Sequence, residues 1–217
     1  MNLGVFGGTF NPVHLAHLRV AEEVREAVRL DRVLFVPARL PPHKRSVEVA
    51  SPAERLAMVR DAVAGNPGFE VSDLELRREG PSYSVDTLEA LRSGLGHGDQ
   101  LWFLLGADSF RDIHTWHRYR EIFRVADLAV MRRPPDLGHL PPPPGMAGAL
   151  TATDGGYRHD SGHEVRFVPV TLLDISSTQI RRSLAEGRSV RYLVPDAVRA
   201  RLRPCPGAGP LQDGDND

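Results

Sequence analysis

Residues 3–28 read LGVFGGTFNPVHLAHLRVAEEVREAV. LGVF (3–6) is a short apolar run of the kind that forms a buried strand. Gly7 and Gly8 end it. From Leu18 onward, apolar residues recur at helical spacing through Ala21, Val24, Ala27 and Val28. Glycine at such a turn permits a positive φ and lets another group approach the backbone closely.

The same alternation continues along the chain. RVLFVPA (32–38) reads as a second strand closed by Pro37, and FEVSD (69–73) as a third. LWFLLGAD (101–108) is the strongest central-strand signal, followed by ADLAVM (126–131) and VRFVPV (165–170). Between them, SPAERLAMVRDAV (51–63) carries helix-start chemistry: Ser51 as N-cap, Pro52 at N1 and Glu54 to close a capping box. Another helix runs from about Ser84 to Leu91, with Gly94 as a left-handed stop. Strands alternating with helices predict an α/β fold: a Rossmann-like, doubly wound, mostly parallel sheet with helices on both faces. Ligands of such sheets bind at the carboxyl ends of the strands. Residues 133–164 contain RPPDLGHLPPPPGMAG and read as a surface loop.

The chain has 217 residues and a formal net charge of -1 from 27 basic and 28 acidic side chains. That balance disfavours a strongly basic nucleic-acid binder. The single cysteine, Cys205, allows no internal disulfide and fits a reducing compartment. No signal peptide and no membrane-length apolar run are visible, so the expected location is cytoplasmic. Residues 1–203 read as one domain and 204–217 as a disordered tail.

GGTFNPVH is neither a G-x-G-x-x-G fingerprint nor a Walker loop. His14 and His17 lie three residues apart at the start of the helix and share a face. Three readings compete: a solvated helix start, a metal site, or two imidazoles aimed at a phosphate chain over the glycine turn. The spacing lacks the H-E-x-x-H pattern of helical zinc pairs, and the place at a sheet end favours phosphate. DISSTQIRRSLAEG (174–187) looks like a second functional helix start. Ser176 and Gln179 can form a capping box and Gly187 a stop. Ser177, Thr178 and Arg181 go beyond capping, because two hydroxyls, free amides and a guanidinium suit phosphate oxygens.

Taken together, GGTFNPVHLAH and ISSTQIR resemble the two signature motifs of a nucleotidyltransferase superfamily. PPHK (41–44), SYSVDTL (82–88), LLGADSF (104–110), TWHRY (115–119) and RRP (132–134) are similar to those of bacterial nicotinate-mononucleotide adenylyltransferases. The resemblance spans about residues 2–202.

It implies an enzyme that joins ATP and nicotinate mononucleotide, giving nicotinate adenine dinucleotide and pyrophosphate, in NAD biosynthesis. It implies direct in-line attack with no covalent enzyme intermediate. Mg²⁺ would be held mainly by ATP phosphates and not by protein side chains. His14 and His17 would stabilise charge on ATP, with Gly7, Gly8, Thr9 and Phe10 offering backbone to the nucleotides. Ser176, Ser177, Thr178 and Arg181 would complete the triphosphate clamp, and Lys44 would meet a phosphate. Asp108, which could otherwise be a helix N-cap, would contact a ribose beside Gly106. Thr9, Tyr83 and Ser84 would meet the mononucleotide, and Trp116 would stack on its pyridine ring. Ser84 stands where the family often has threonine, and Asn11 where an aspartate is common. The rivals are pantetheine-phosphate adenylyltransferase, an enzyme preferring nicotinamide mononucleotide, and a non-catalytic nucleotide-binding regulator. The oligomeric state is left open, a homodimer among the options.

Overall fold

The computed structural model describes residues 1–39, 50–134 and 140–202. Lys44, the rest of PPHK, Cys205 and the tail from 204 lie outside the described residues. The elements run β1 (Asn2–Gly8), α1 (Leu15–Ala27), β2 (Arg32–Pro37), α2 (Pro52–Val63), β3 (Phe69–Val71) and α3 (Leu74–Arg77). They continue α4 (Ser84–Ser93), β4 (Gln100–Gly106), α5 (Ala107–Asp112), a 3-10 turn at Ile113–Thr115, α6 (Tyr119–Val125) and β5 (Asp127–Arg132). The last are β6 (Leu150–Thr153), β7 (Gly156–His159), β8 (Glu164–Pro169), α7 (Ser177–Ala185) and α8 (Asp196–Arg201).

One eight-stranded sheet has the order β3-β2-β1-β4-β5-β8-β7-β6. The six strands read from sequence are its parallel part, β3 through β8 in that order. Strand order reverses between β1 and β4, the switch point at which such sheets take ligands. Side chains alternate across the sheet as period 2 requires. Leu3 and Val5 join Phe103, Leu105 and the α4 side of the core. Phe6 joins Trp102, Leu104 and the side covered by α1 and α7.

The expectation for 133–164 is corrected. β6 and β7 form an antiparallel hairpin, and β7 pairs antiparallel with β8, so the segment extends the sheet. Leu140, Met146, Leu150, Tyr157 and His159 are buried, and the Tyr157 hydroxyl donates to the Leu140 carbonyl at 2.7 Å. Gly156 belongs there for lack of room: a Cβ would sit 1.8 Å from the Val165 carbonyl oxygen.

Local chemistry explains the helix ends. At α2 the Glu54 amide donates to Ser51 Oγ (3.2 Å), and the Ser51 amide donates to the Glu54 carboxylate (2.9 Å). At α7 the Gln179 amide donates to Ser176 Oγ at 3.1 Å, and Gly187 follows with φ +69°. Gly94 departs from the left-handed stop expected of it; α4 ends there in right-handed geometry at φ -90°. Gly7 and Gly8 are likewise absent from the positive-φ residues, a conformation taken instead by Phe10 at φ 48°. Among the described residues no helix is long and apolar enough to cross a membrane.

Candidate active site

Two cavities open side by side at the carboxyl ends of β1 and β4. The larger, about 570 Å³, is lined by Gly7, Gly8, Thr9, Ala38, Glu75, Ser82, Tyr83, Ser84, Trp116 and His117, among others. The second, about 400 Å³, is lined by His14, His17, Asp108, Arg133, Ser176, Ser177 and Thr178. Phe6, Gly106 and Ser109 line both. A Cβ on Gly7 or Gly106 would meet nothing within 4 Å, so each glycine leaves room open, whereas a Cβ on Gly8 would press on the Phe10 ring at 3.0 Å.

His14 is the N-cap of α1 and His17 its N3 residue. The His14 amide donates to His17 Nδ1 at 3.2 Å, an imidazole doing what Glu54 does in α2. The rings stack at 3.6 Å between centroids, 27° apart. Behind them His17 meets Phe6 and Phe10 edge-on. His14 is 5% exposed, and its Nδ1 is buried with no hydrogen-bond partner among the described residues. Burial, and secondarily the Arg133 charge, push its pKa down to about 4. It is therefore neutral at pH 7. An anion against that imidazole would raise the pKa again.

The start of α7 is fastened to the histidine loop. Ser177 Oγ donates to the Pro12 carbonyl at 2.9 Å. Arg181 Nη1 donates to the Asn11 carbonyl at 2.7 Å, and Nη2 to Thr178 Oγ1 at 3.2 Å. Ser176, Ser177 and Thr178 thus meet His14 and His17 in one cavity, as their motifs suggest. Arg181 does not line that cavity; here it holds the loop that forms its wall.

The larger cavity has aromatic walls. Trp116 is half-buried, its ring edge-on to Phe103 at 6.2 Å between centroids. Tyr83, the N-cap of α4, lies against the His117 ring, tilted by 30° at 4.3 Å between centroids. Ser84 begins α4, where first-turn amides lack intrahelical acceptors. Glu75 is buried against this cavity, its carboxylate accepting from Thr87 Oγ1 at 2.8 Å. Desolvation raises its pKa, opposed by hydrogen bonds from Thr87 and Ser82.

Other expected residues sit differently. Gly7, Gly8 and Thr9 line the larger cavity and not the histidine one. Phe10 has its ring in the core, 5.7 Å from Phe6 and 5.8 Å from Phe35 between centroids. Asp108 is not an N-cap: Gly106 takes that place, and Asp108 lies in the first turn of α5, paired with Arg111 at 2.9 Å. Arg133, Ser109 and His117 lie within RRP, LLGADSF and TWHRY, but the sequence gives them no individual role, and Glu75 lies in no motif. Arg133 follows β5, so the strand-end rule points to it as well; His117 is the neighbour of Trp116 in TWHRY, and Glu75, in the short α3, carries no such signal.

Residues 5–183 match the cytidylyltransferase-like family. A Trichlorobacter lovleyi protein named "Probable nicotinate-nucleotide adenylyltransferase" is 49% identical over 204 residues, covering 92% of this chain and 95% of that one. A Citrifermentans bemidjiense protein of the same name is 51% identical over 208 residues, covering 94% and 96%. Among solved structures, Plasmodium falciparum nicotinic acid mononucleotide adenylyltransferase complexed with NaAD shares the fold at TM-score 0.67 and 18% identity, covering 91% of this chain and 93% of that one. The chain belongs to the cytidylyltransferase-like family and, within it, to the nicotinate-nucleotide adenylyltransferases.

Proposed function

We propose, from that membership and from the paired cavities, that the protein joins ATP to nicotinate mononucleotide in NAD biosynthesis. A phosphate oxygen of the mononucleotide attacks the α-phosphorus of ATP. The bond from that phosphorus to the bridging oxygen breaks, and pyrophosphate leaves with the electron pair. The observation that carries this reading is the adjacency of two chemically different cavities across the β1/β4 switch point. One suits a flat ring, the other a polyphosphate.

The triphosphate would lie against His14, His17, Arg133 and the hydroxyls of Ser177 and Thr178. Such groups stabilise charge in a transfer that needs positioning more than a protein nucleophile. The mononucleotide ring would stack on Trp116, its carboxylate meeting the first-turn amides and hydroxyl around Tyr83 and Ser84. Asp108 is the one carboxylate among the described residues lining the histidine cavity, and it is engaged by Arg111. That donor set suits Mg²⁺ carried in on the triphosphate, whose charge it would neutralise.

The test is to incubate the protein with ATP, Mg²⁺ and each mononucleotide separately, and to measure pyrophosphate release. Release with the nicotinate form, faster than with the nicotinamide form, is expected. No release with either would overturn the reading.

A further inference from the structure

Arg55, in α2, touches neither substrate cavity and is 0% exposed. Its guanidinium is spread over three backbone carbonyls. Nη1 donates to Thr9 at 2.8 Å, Nε to Ala50 at 3.1 Å and Nη2 to Arg39 at 3.3 Å. Among the described residues it has no carboxylate partner. Burying a guanidinium is costly, and an apolar side chain of similar volume would fill the space without that cost. What the charge adds is a rigid fork able to fix several acceptors at once.

Those acceptors lie where the chain leaves β1, leaves β2 and enters α2. Thr9 lines the larger cavity. Arg39 passes the constraint on: its amide donates to Ser82 Oγ at 3.0 Å, and its Nη1 to the Arg78 carbonyl at 2.8 Å. Ser82, one residue before Tyr83, lines the same cavity from a different stretch of chain. The Ala38 amide adds a tie to the Gly8 carbonyl at 2.9 Å. A continuous path thus runs from Thr9 through Arg55 and Arg39 to Ser82. The histidine side of the loop has separate fastenings, from Arg181 to Asn11 and from Ser177 to Pro12.

We infer that Arg55 is a positioning residue that sets the separation of these two stretches lining the mononucleotide subsite, leaving the triphosphate subsite to the Arg181 and Ser177 ties. The identity of the ligand rests on the proposed function; the positioning itself does not.

Arg55→Lys keeps the charge and loses the fork. Its KM for nicotinate mononucleotide is expected to rise roughly tenfold, the factor for about one charged hydrogen bond, with the KM for ATP changing less than about twofold. In the protein without substrates, amide hydrogen exchange at Ala38 and Arg39 is expected to speed up, with α1 amides unchanged. Equal shifts in both KM values, or unaltered exchange at Ala38 and Arg39 in a folded variant, would overturn the inference. If Arg55→Lys does not fold, Arg55→Ala with added methylguanidine takes its place. Dose-dependent recovery of the mononucleotide KM supports the inference, and its absence counts against it. Failure of both variants to fold would assign Arg55 to the core and also overturn it. A wild-type protein that releases no pyrophosphate would sink the functional reading alone, since the exchange measurement still decides the positioning.

Discussion

The two cavities share one sheet end and differ in almost everything else. The histidine cavity gathers Arg133, two stacked imidazoles and serine and threonine hydroxyls. The larger one presents Trp116, Tyr83, His117 and a buried Glu75. Phosphates are recognised by charge and hydrogen-bond donors, and a planar ring by shape and stacking. The contrast extends to how each is built. The histidine wall is fastened by a helix distant in sequence, and the Thr9 backbone of the larger cavity by the buried Arg55. A single switch point thereby carries two surfaces of different chemistry side by side.

Substitutions can break that contrast one side at a time. The largest effect belongs to His17→Ala. Losing one group that stabilises transition-state charge costs about 3 kcal/mol, or roughly a hundredfold in kcat. Steady-state kinetics should show that loss with the mononucleotide KM little changed, while the lost cap and ring contacts lower thermal stability by only about 1 to 2 kcal/mol; near-normal turnover removes His17 from the chemistry.

His14 makes the second prediction, on stability. Its folded pKa, about 4, lies below the ordinary 6.5, so the unfolded chain takes up the proton first. Its contribution is full above pH 6.5 and drains away as pH falls toward 4, by about 2 to 3 kcal/mol. Denaturant unfolding at pH 7 and pH 4.5 should show a smaller acid loss in His14→Gln than in wild type. An identical loss in both would mean that this imidazole titrates normally.

Arg181→Ala comes next. Removing its charged hydrogen bond to the Asn11 carbonyl frees the histidine loop, worth about 2 kcal/mol or roughly thirtyfold in ATP KM. The mononucleotide KM should stay put, and an unchanged ATP KM would refute the fastening role. Trp116→Ala mirrors it on the other side, with roughly a tenfold rise in mononucleotide KM from lost stacking and ATP binding preserved. Equal losses for both substrates would expose a packing defect instead.

Much of this division was readable in the chain. Six strands announced themselves through apolar runs such as RVLFVPA and LWFLLGAD, and the Ser51–Glu54 box carried its own start signal. Chemistry alone makes GGTFNPVHLAH and ISSTQIR two separate candidate anion sites, and the family resemblance joins them. The β6–β7 hairpin was hidden by its length: four-residue strands with polar outer faces, LTAT and GYRH, lie in a proline-rich context. Only the Asp154-Gly155 turn signal between them pointed to a hairpin. Arg55 was illegible for another reason. In an amphipathic helix an arginine reads as a solvated residue, and only the fold reveals three carbonyls waiting for it. Arg181 shows the same limit, since its spacing put it beside Thr178 but could not show the Asn11 carbonyl.

The fastening of α7 also has a consequence for how the protein is made. Ser177 meets Pro12 across 165 positions, and Arg181 meets Asn11 across 170. Contacts so distant in sequence carry a large closure entropy and form late. On the ribosome the histidines emerge long before the helix that holds their loop. A growing chain therefore displays its imidazoles long before the wall around them is fastened, and the histidine cavity is complete only once α7 has been made.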